Sequence, residues 1–355
     1  MRSLLSRRGL GVIAALLVAV AGSAMVLAPM LTTRPASADD FRAAAQKANL
    51  FIELIRNTER AVESWERYAS WVNLRTGPTG KERYISYGMY DVHDVSGMLK
   101  EIRKTAGSKP KTPKIDAAAK RYMAAFEALA PVMNQATAYY DRKGYQSDGI
   151  AEGQALHKRM VPLATAFLAE REALMREVRP FVRQVEQQEV DVIEVREGRT
   201  RAWHVARVMN AANRAVDLFP RVRPTPISQD DIEERIKALG PNTPGEKFDE
   251  IISGVTRPTG ILIDVKAFDA GIKRYAEAVE VYDRFAAEKP DGLKDFKDLP
   301  RQLLSSLQAL QEPLNRSGGR DFDGADPLVG RVAQIYFAMI SASGSLSGSQ
   351  IRFMP

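Results

Sequence analysis

The sequence predicts an all-α protein, an elongated bundle of long helices that prolines kink. Apolar residues recur every three, four or seven positions through long stretches of the 355-residue chain, which is the spacing of one helix face. Clusters of glycine and proline separate these stretches, and the strand-like triplet 261–263 has no second strand with which to pair. Packing helix on helix is the arrangement that buries such faces.

Apolar periodicity and breaker residues place the helices along the chain. The first helix contains neither glycine nor proline and carries Trp65, Tyr68 and Trp71 at three-residue spacing. The Gly-Pro-Thr-Gly turn at 77–80 follows it. The predicted helices cover, in order, residues 40–74, 91–104, 113–142, a long helix that contains 160–195, and then 203–219, 230–239, 265–288, 299–315 and 327–341.

Capping residues support several of these boundaries. Thr112 stands directly before Pro113, at the start of the third helix. Asp326 stands before Pro327, at the start of the last one. A polar cap followed by proline is typical of a helix N-terminus. Asp148 is the cap that we predict for the long helix.

A mostly apolar row at seven-residue spacing predicts that the long helix packs along its partners. The row consists of Met160, Phe167, Leu174, Phe181, Gln188 and Val195, with Val178, Val185 and Val192 beside it. Pro162 and Pro180 interrupt the row, so we expect kinks or a short break there. The preceding helix should bend near Pro131, because proline removes one backbone hydrogen bond.

Composition and spacing exclude several kinds of site. With no cysteine, the chain has no disulfide, cysteine-ligated zinc, iron–sulfur cluster or lipid-attachment cysteine. His93, His157 and His204 have no Asp, Glu or His three or four positions away, which argues against a helical di-metal site. The segment 321–326 resembles the start of a calcium loop, but Val332 stands where the closing glutamate should be. We predict neither a cofactor nor a metal.

The formal net charge of +7 is weak support for nucleic-acid binding. Residues 1–38 contain four arginines and no acid; without them, 47 Lys and Arg face 44 Asp and Glu, a net charge of +3. Nucleic-acid binding needs a concentrated basic face, which this evenly spread charge does not provide. We therefore predict no nucleic-acid partner.

The N-terminus has the pattern of a secretory signal peptide. Arginines at positions 2, 7 and 8 precede an uncharged apolar stretch, 9–33, and Ala36-Ser37-Ala38 stands before Asp39. This pattern predicts export to the periplasm with cleavage between Ala38 and Asp39. It leaves 39–343 as one helical domain and 344–355 as a flexible tail rich in serine and glycine.

Two alternatives concern the same segment. The apolar stretch is long enough to span a bilayer, so an uncleaved inner-membrane anchor with the body facing the periplasm is the first alternative. Contact with the membrane is expected only through this segment, and only if it is retained. Ser6-Arg7-Arg8-Gly9-Leu10 is similar to a twin-arginine signal, which is the alternative to the Sec route.

Two groups of aromatic residues are candidates for ligand contact. For the row at 65, 68 and 71 we favour a core stripe over a stacking surface, because helix packing requires that spacing. The second group carries Tyr139, Tyr140 and Tyr145 into a turn, where binding residues concentrate, with capping of the helix end as the alternative. Together with His157, these three tyrosines are the predicted ligand or partner surface.

Short motifs in and around this turn form a recognisable set. They are Ala128-Leu129-Ala130-Pro131, Tyr139-Tyr140, Lys143-Gly144-Tyr145, Asp148-Gly149 and Gly153-Gln154-Ala155-Leu156-His157, with Asn49 and Arg196-Glu197-Gly198-Arg199-Thr200 elsewhere. Across residues 41–343 the chain thereby resembles the YiiG-like family of exported bacterial proteins. The resemblance implies an all-helical extracytoplasmic domain of unknown function and assigns no catalytic residue. Many members look like lipoproteins, from which this chain departs because it lacks the cysteine.

We interpret the chain as a periplasmic protein that binds an envelope protein or a small ligand, or acts as a scaffold, rather than as an enzyme. The alternative is a cell-envelope hydrolase whose acid and base carboxylates come from distant helices, with His157 as a further participant; such pairs leave no sequence motif. A buried carboxylate pair lining a pocket near His157 would favour the hydrolase. An apolar groove between helices would favour a ligand or partner.

Overall fold

The described part of the chain is built from helices. A computed structural model describes residues 38–105, 107–219, 263–289, 292–320 and 325–347, and every regular element in these ranges is helical, which confirms the all-α fold. The helices are α1 (Ala38–Asn57), α2 (Glu59–Ala69), α3 (Ser96–Thr105), α4 (Pro113–Asp141), α5 (Ala151–Glu197), α6 (Arg201–Val216), α7 (Val265–Glu288), α8 (Leu299–Ser317) and α9 (Ala325–Ser347). The apolar leader, the predicted helix 230–239 and most of the calcium-like segment lie outside the described residues.

Buried side chains form two main apolar clusters. The first core lies among α1 to α4 and the part of α5 that ends at Val185. The second core lies among α6, α7, α8 and α9. A smaller cluster joins the end of α5 to α6 and consists of Val190, Ile193, Trp203 and Ala206. None of the helices in the described ranges has the length and apolar composition of a membrane span.

The first predicted helix, 40–74, is divided in two. Its helical geometry is interrupted at Thr58, whose hydroxyl lies 2.6 Å from the carbonyl oxygen of Leu54 and 2.5 Å from the hydroxyl of Tyr122 in α4. A threonine hydroxyl that bonds a carbonyl of the preceding turn perturbs a helix. The contact with Tyr122 therefore holds this break in place within the first core. Helix α2 ends at Ala69, before the predicted boundary at residue 74.

Helix α3 begins at Ser96 and not at residue 91, because residues 91–95 are bound in a non-helical form. The side-chain amide of Asn134 in α4 pairs with both backbone polar groups of Val92, at 2.8 and 3.0 Å. Asp94 then accepts a hydrogen bond from the N–H of Ser96 at 2.8 Å. A carboxylate in that position favours a helix start.

Helix α5 continues through Pro162 and Pro180, so the expected short break is wrong. Each proline removes only one backbone hydrogen bond. Between the two prolines, Phe167 and Leu174 of the predicted row are fully inaccessible, whereas farther along it Phe181 is half-buried and Val195 is exposed. The predicted cap is confirmed: the carboxylate of Asp148 accepts the N–H groups of Ile150 and Glu152, each at 2.9 Å.

Helix α9 also extends beyond its predicted end, from 341 to Ser347. Met339, Ser343 and Leu346 are buried on one face of it, at the spacing of helical turns. Part of the predicted tail therefore belongs to the second core, which explains why glycine and serine do not end the helix at 341.

Candidate functional site

The four residues predicted as a ligand or partner surface converge on a buried aromatic centre in the first core. Tyr139 and Tyr140, at the end of α4, are 0% and 3% exposed, and His157, near the start of α5, is 6% exposed. Tyr145 lies in the turn between these helices and is half-buried, with its ring centroid 6.5 Å from that of Tyr140. Three of the four are core residues, so within this group Tyr145 is the most accessible to a ligand or partner, and the predicted surface stays a prediction.

His157 connects α5 to α2 through a hydrogen bond. Its Nδ1 lies 2.9 Å from the hydroxyl of the fully buried Tyr68. Burial lowers the pKa of His157, and a hydrogen bond to the backbone of Leu74 opposes that shift. Gly77 makes this close approach possible, because its φ is +82° and a Cβ there would lie 2.9 Å from the imidazole. These contacts satisfy the imidazole and give it a structural role.

The neighbouring aromatic rings complete the centre. Trp65, Tyr68 and Trp71 are all buried, so their interpretation as a core stripe is confirmed. The indole N–H of Trp71 donates to the carbonyl of Gly88 at 2.9 Å, which ties the loop before α3 to α2. The hydroxyl of Tyr140 is buried without a hydrogen-bond partner of good geometry, and burial raises the pKa of Tyr140. No motif in the sequence indicates these loop contacts.

A buried carboxylate, Glu82, lies on the loop that covers this centre. One of its oxygens accepts hydrogen bonds from the N–H and the hydroxyl of Thr79, and the other accepts from the N–H of Gly80 at 3.0 Å. Both oxygens are thus occupied by the loop itself. This arrangement fixes the turn after α2 and does not supply an acid–base partner for His157.

A pocket of about 360 Å³ lies between α1, α3 and α4, and we call it pocket A. Its apolar wall consists of Phe51, Ile102, Ala117, Ala119 and Met123. Its charged residues are Arg103, Asp116 and Lys120. Asp116 is already neutralised, because the ammonium group of the almost fully buried Lys47 lies 3.1 Å from it and also donates to the carbonyl of Pro110.

A second pocket of about 370 Å³ lies farther along the same helix pair, and we call it pocket B. Its apolar residues include Val92, Leu99, Phe126 and Pro131. His93, Asp94, Glu127 and Asn134 supply its polar groups. Pocket A therefore has an apolar wall with two cations at its edge, whereas pocket B has acids at its edge.

An ion pair, Arg103–Glu127, lies where the two pockets meet. One guanidinium nitrogen of Arg103 is 2.6 and 2.7 Å from the two carboxylate oxygens of Glu127. Arg103 lines pocket A, and Glu127 lines pocket B. Both side chains are nearly half exposed, so water has access to the pair. Sequence reasoning missed both pockets, because they depend on how α3 lies on α4.

A polar contact joins α5, α6 and α9 outside these pockets. Asn213 donates to Glu186 at 2.7 Å and accepts a hydrogen bond from Tyr336. Burial raises the pKa of Glu186 to about 7; Asn213 opposes the shift, and the nearby Asp217 adds to it. Glu186 therefore changes charge near neutral pH, where the second core meets α5.

Metal-binding geometry is absent from the residues that the structure describes: no three His, Asp or Glu side chains there converge as ligands would. His204 illustrates this. Its ring stacks on Phe285 with centroids 4.2 Å apart, and its Nδ1 is buried without a partner. Burial and the neighbouring cations Arg207 and Arg199 lower the pKa of His204.

Comparison with known proteins gives two matches. A family model described as "Protein of unknown function (DUF3829)" matches residues 42–280. The chain is also 28% identical, over 178 residues, to "Uncharacterized protein YiiG" from Escherichia coli (strain K12), which covers 49% of this chain and 50% of that protein. The chain thus spans about half the length of the curated relative it matches. No solved structure matches it significantly.

Proposed function

Since this chain belongs to the DUF3829 family of proteins of unknown function, we propose a role from its own residues: it is an exported protein that binds a small, largely apolar ligand in pocket A. The observation that carries this proposal is the apolar wall of the pocket. Ligand sites in proteins usually enclose roughly 300–1,000 Å³, are mostly apolar and contain a few polar groups that orient the ligand. Pocket A has each of these properties.

Binding accounts for the charged groups of pocket A better than catalysis does. Asp116 is held by Lys47 and by the hydroxyl of Thr112, which lies 3.1 Å from it. The side chains of Arg103 and Lys120 offer hydrogen-bond donors and no acceptor. A general base has to be free to accept a proton, and none of these three groups is.

Export is the second part of the proposal. The basic head, the apolar stretch and the small residues at 36 and 38 support it. Helix α1 begins at Ala38, so cleavage after that residue would release a chain whose first helix is intact. Mass spectrometry of the protein from a periplasmic fraction should give Asp39 as the first residue. Recovery of the uncleaved chain in the membrane fraction would contradict cleavage and would support the alternative of an uncleaved membrane anchor.

Ligand binding is tested with N-phenyl-1-naphthylamine, an uncharged dye that fluoresces in apolar surroundings. Ala117 is exposed and lines pocket A, so Ala117→Phe should fill the pocket with little effect on folding. We expect dye affinity to fall at least about tenfold, which is about 1.4 kcal/mol. Ala124→Phe is the matched control, because Ala124 is exposed on the same helix and lines neither pocket. Equal dye binding by the two variants would refute the proposed site.

The hydrolase alternative has one observation in its favour. Glu186 is a carboxylate that burial keeps partly protonated near neutral pH, as a general acid requires. It lines neither pocket A nor pocket B. Binding therefore ranks first. Hydrolysis of a purified envelope fraction that Glu186→Gln abolishes would reverse this order.

A further inference from the structure

Pockets A and B belong to one groove between α3 and α4. Ile102 of pocket A and Leu99 of pocket B lie three residues apart on α3, and Met123 and Phe126 are related in the same way on α4. Residues at that spacing are neighbours on a helix face. The Arg103–Glu127 pair crosses the groove between these neighbours, so it acts as a clasp that separates the two pockets.

The charges around the clasp differ on its two sides. On the side of pocket A, Lys120 is exposed and forms no ion pair within the described residues, while Asp116 is paired with Lys47. Pocket A therefore presents one unpaired cation and one arginine whose present partner is a half-exposed glutamate. Seven residues separate Lys120 from Glu127, which is about 10 Å along a helix axis.

We infer that the ligand of pocket A is a small monocarboxylate with an apolar tail, whose carboxylate replaces Glu127 on Arg103. The inference rests on the proposed function and specifies its ligand. The tail lies against Phe51, Ile102 and Met123, and Lys120 adds a second cation near the carboxylate. Release of Glu127 opens the clasp and joins the two pockets.

Three physical arguments favour the replacement of the Glu127 carboxylate on Arg103 by the carboxylate of a ligand. The planar guanidinium of arginine matches a carboxylate in shape and donor geometry. An ion pair accessible to solvent contributes little to stability, so opening it is inexpensive. The displaced Glu127 carboxylate is already 44% exposed and becomes hydrated. The incoming carboxylate gains the charge of Lys120, which Glu127 does not use.

The test compares ligands with the same apolar tail and different head groups. Octanoate, octanol and octylammonium compete with N-phenyl-1-naphthylamine at pH 7.5 on protein purified from cells that express the full chain. We expect octanoate to bind at least about tenfold more tightly than octanol, and octylammonium to bind more weakly than either. Arg103→Gln and Lys120→Gln should each reduce the preference for octanoate over octanol to threefold or less.

Two further variants separate the clasp from general electrostatics. Glu127→Gln removes the internal competitor, so the affinity for octanoate should rise several-fold more than the affinity for octanol does. Arg121→Gln is the control, because Arg121 is an exposed cation of the same helix that pairs with Glu170 and lines neither pocket. It should bind all three ligands as the parent does.

The results distinguish failure of the inference from failure of the proposed function. Equal binding of octanoate and octanol, or a preference for octanoate that survives Arg103→Gln, overturns the inference, although displaceable dye would still support a ligand site. Dye binding that Ala117→Phe does not reduce overturns the site itself, whatever the head-group order.

Discussion

The two cores of this protein differ in how their aromatic residues are used. In the first core, the side chains of Tyr68 and Trp71 make hydrogen bonds that tie α5 and a loop to α2. In the second core, Tyr275 and Tyr336 also donate hydrogen bonds, to the carbonyl of Pro300 and to Asn213, whereas the hydroxyl of Tyr282 is buried without a partner. The leucine seam of α8 is fully buried and consists of Leu303, Leu307, Leu310 and Leu314. Both cores thus contain bonded and unbonded tyrosines, and they differ in the aromatic rings around Tyr68 in the first core and the leucine seam in the second.

The family match covers the two cores unequally. Residues 42–280 include nearly all of the first core and both pockets but end within α7, so α8 and α9 lie beyond the match. The part shared with the family thus contains the hydrogen-bonded centre and the proposed binding groove, together with α6 and most of α7 of the second core. A ligand site in the first core is consistent with that coverage.

The largest expected effects come from removing volume in either core. Phe167 stacks on Tyr122 with centroids 5.2 Å apart and is inaccessible to solvent. We expect Phe167→Ala to lower the free energy of unfolding by about 3–5 kcal/mol and Leu307→Ala by about 2–5 kcal/mol. Phe337→Ala is the control, because that ring is 66% exposed, and it should change stability by about 0.5 kcal/mol or less. Urea denaturation followed by circular dichroism measures all three; a large loss in Phe337→Ala would contradict the described surface of α9.

Removal of a tyrosine hydroxyl should have different effects on stability at Tyr68 in the first core and at Tyr282 in the second. Tyr68→Phe leaves the buried Nδ1 of His157 without a partner, which costs about 1–3 kcal/mol. Tyr282→Phe removes a hydroxyl that has no partner, so its effect should be within about 0.5 kcal/mol and could be stabilising. The same denaturation measurement checks both variants. Equal losses would show that the difference in hydrogen bonding has no energetic consequence.

The sequence predicted the fold class well because the signal was local. Apolar periodicity located α7 at its exact limits, 265–288, and the Asp148 cap of α5 was correct. The motifs around Tyr139 also led to the correct family. The errors arose where a distant residue decides the local structure. Thr58 breaks the first helix with Tyr122 as its partner, and Asn134 keeps the segment before α3 from becoming helical.

The candidate sites were harder to predict for the same reason. A tyrosine-rich turn is typical of a binding surface, but the long α5 and the loop around Gly88 cover Tyr139 and Tyr140 completely. Conversely, Arg103 and Glu127 lie 24 residues apart and carry no motif, so only the placement of α3 on α4 brings them together. Burial and long-range pairing are properties of the folded chain, so the spacing of residues along the sequence does not predict them.

Opposite responses to pH should further distinguish the two regions. Burial raises the pKa of Glu186 to about 7, so the folded state holds a proton that the unfolded chain releases above about 4.5. Stability from this group is therefore full below pH 4.5 and is lost as pH rises through 7. We expect the loss to be about 1–2 kcal/mol, below what the full shift would give, because the side chain is only partly buried from solvent.

The first core should respond in the other direction. Burial lowers the pKa of His157, so the unfolded chain binds a proton more readily than the folded one. Stability from this group is present above pH 6.5 and is lost as pH falls below it. Urea midpoints between pH 4.5 and 8 check both signs. Glu186→Gln should remove only the loss on the alkaline side, and His157→Gln should reduce only the loss on the acidic side, to which His204 also contributes; a shared response would contradict the separation.

The smallest effect on stability is expected at the clasp. Arg103 and Glu127 are nearly half exposed, and pairs of this kind contribute about 0–1 kcal/mol because water and salt compete with them. Arg103→Gln and Glu127→Gln should therefore shift the urea midpoint only slightly, in contrast to the hydroxyl of Tyr68 in the same core. A loss above about 2 kcal/mol in either variant would mean that the pair holds α3 in place. A small contribution to the free energy of unfolding means that the Arg103–Glu127 pair can open at little cost, which is required if a ligand carboxylate is to replace Glu127.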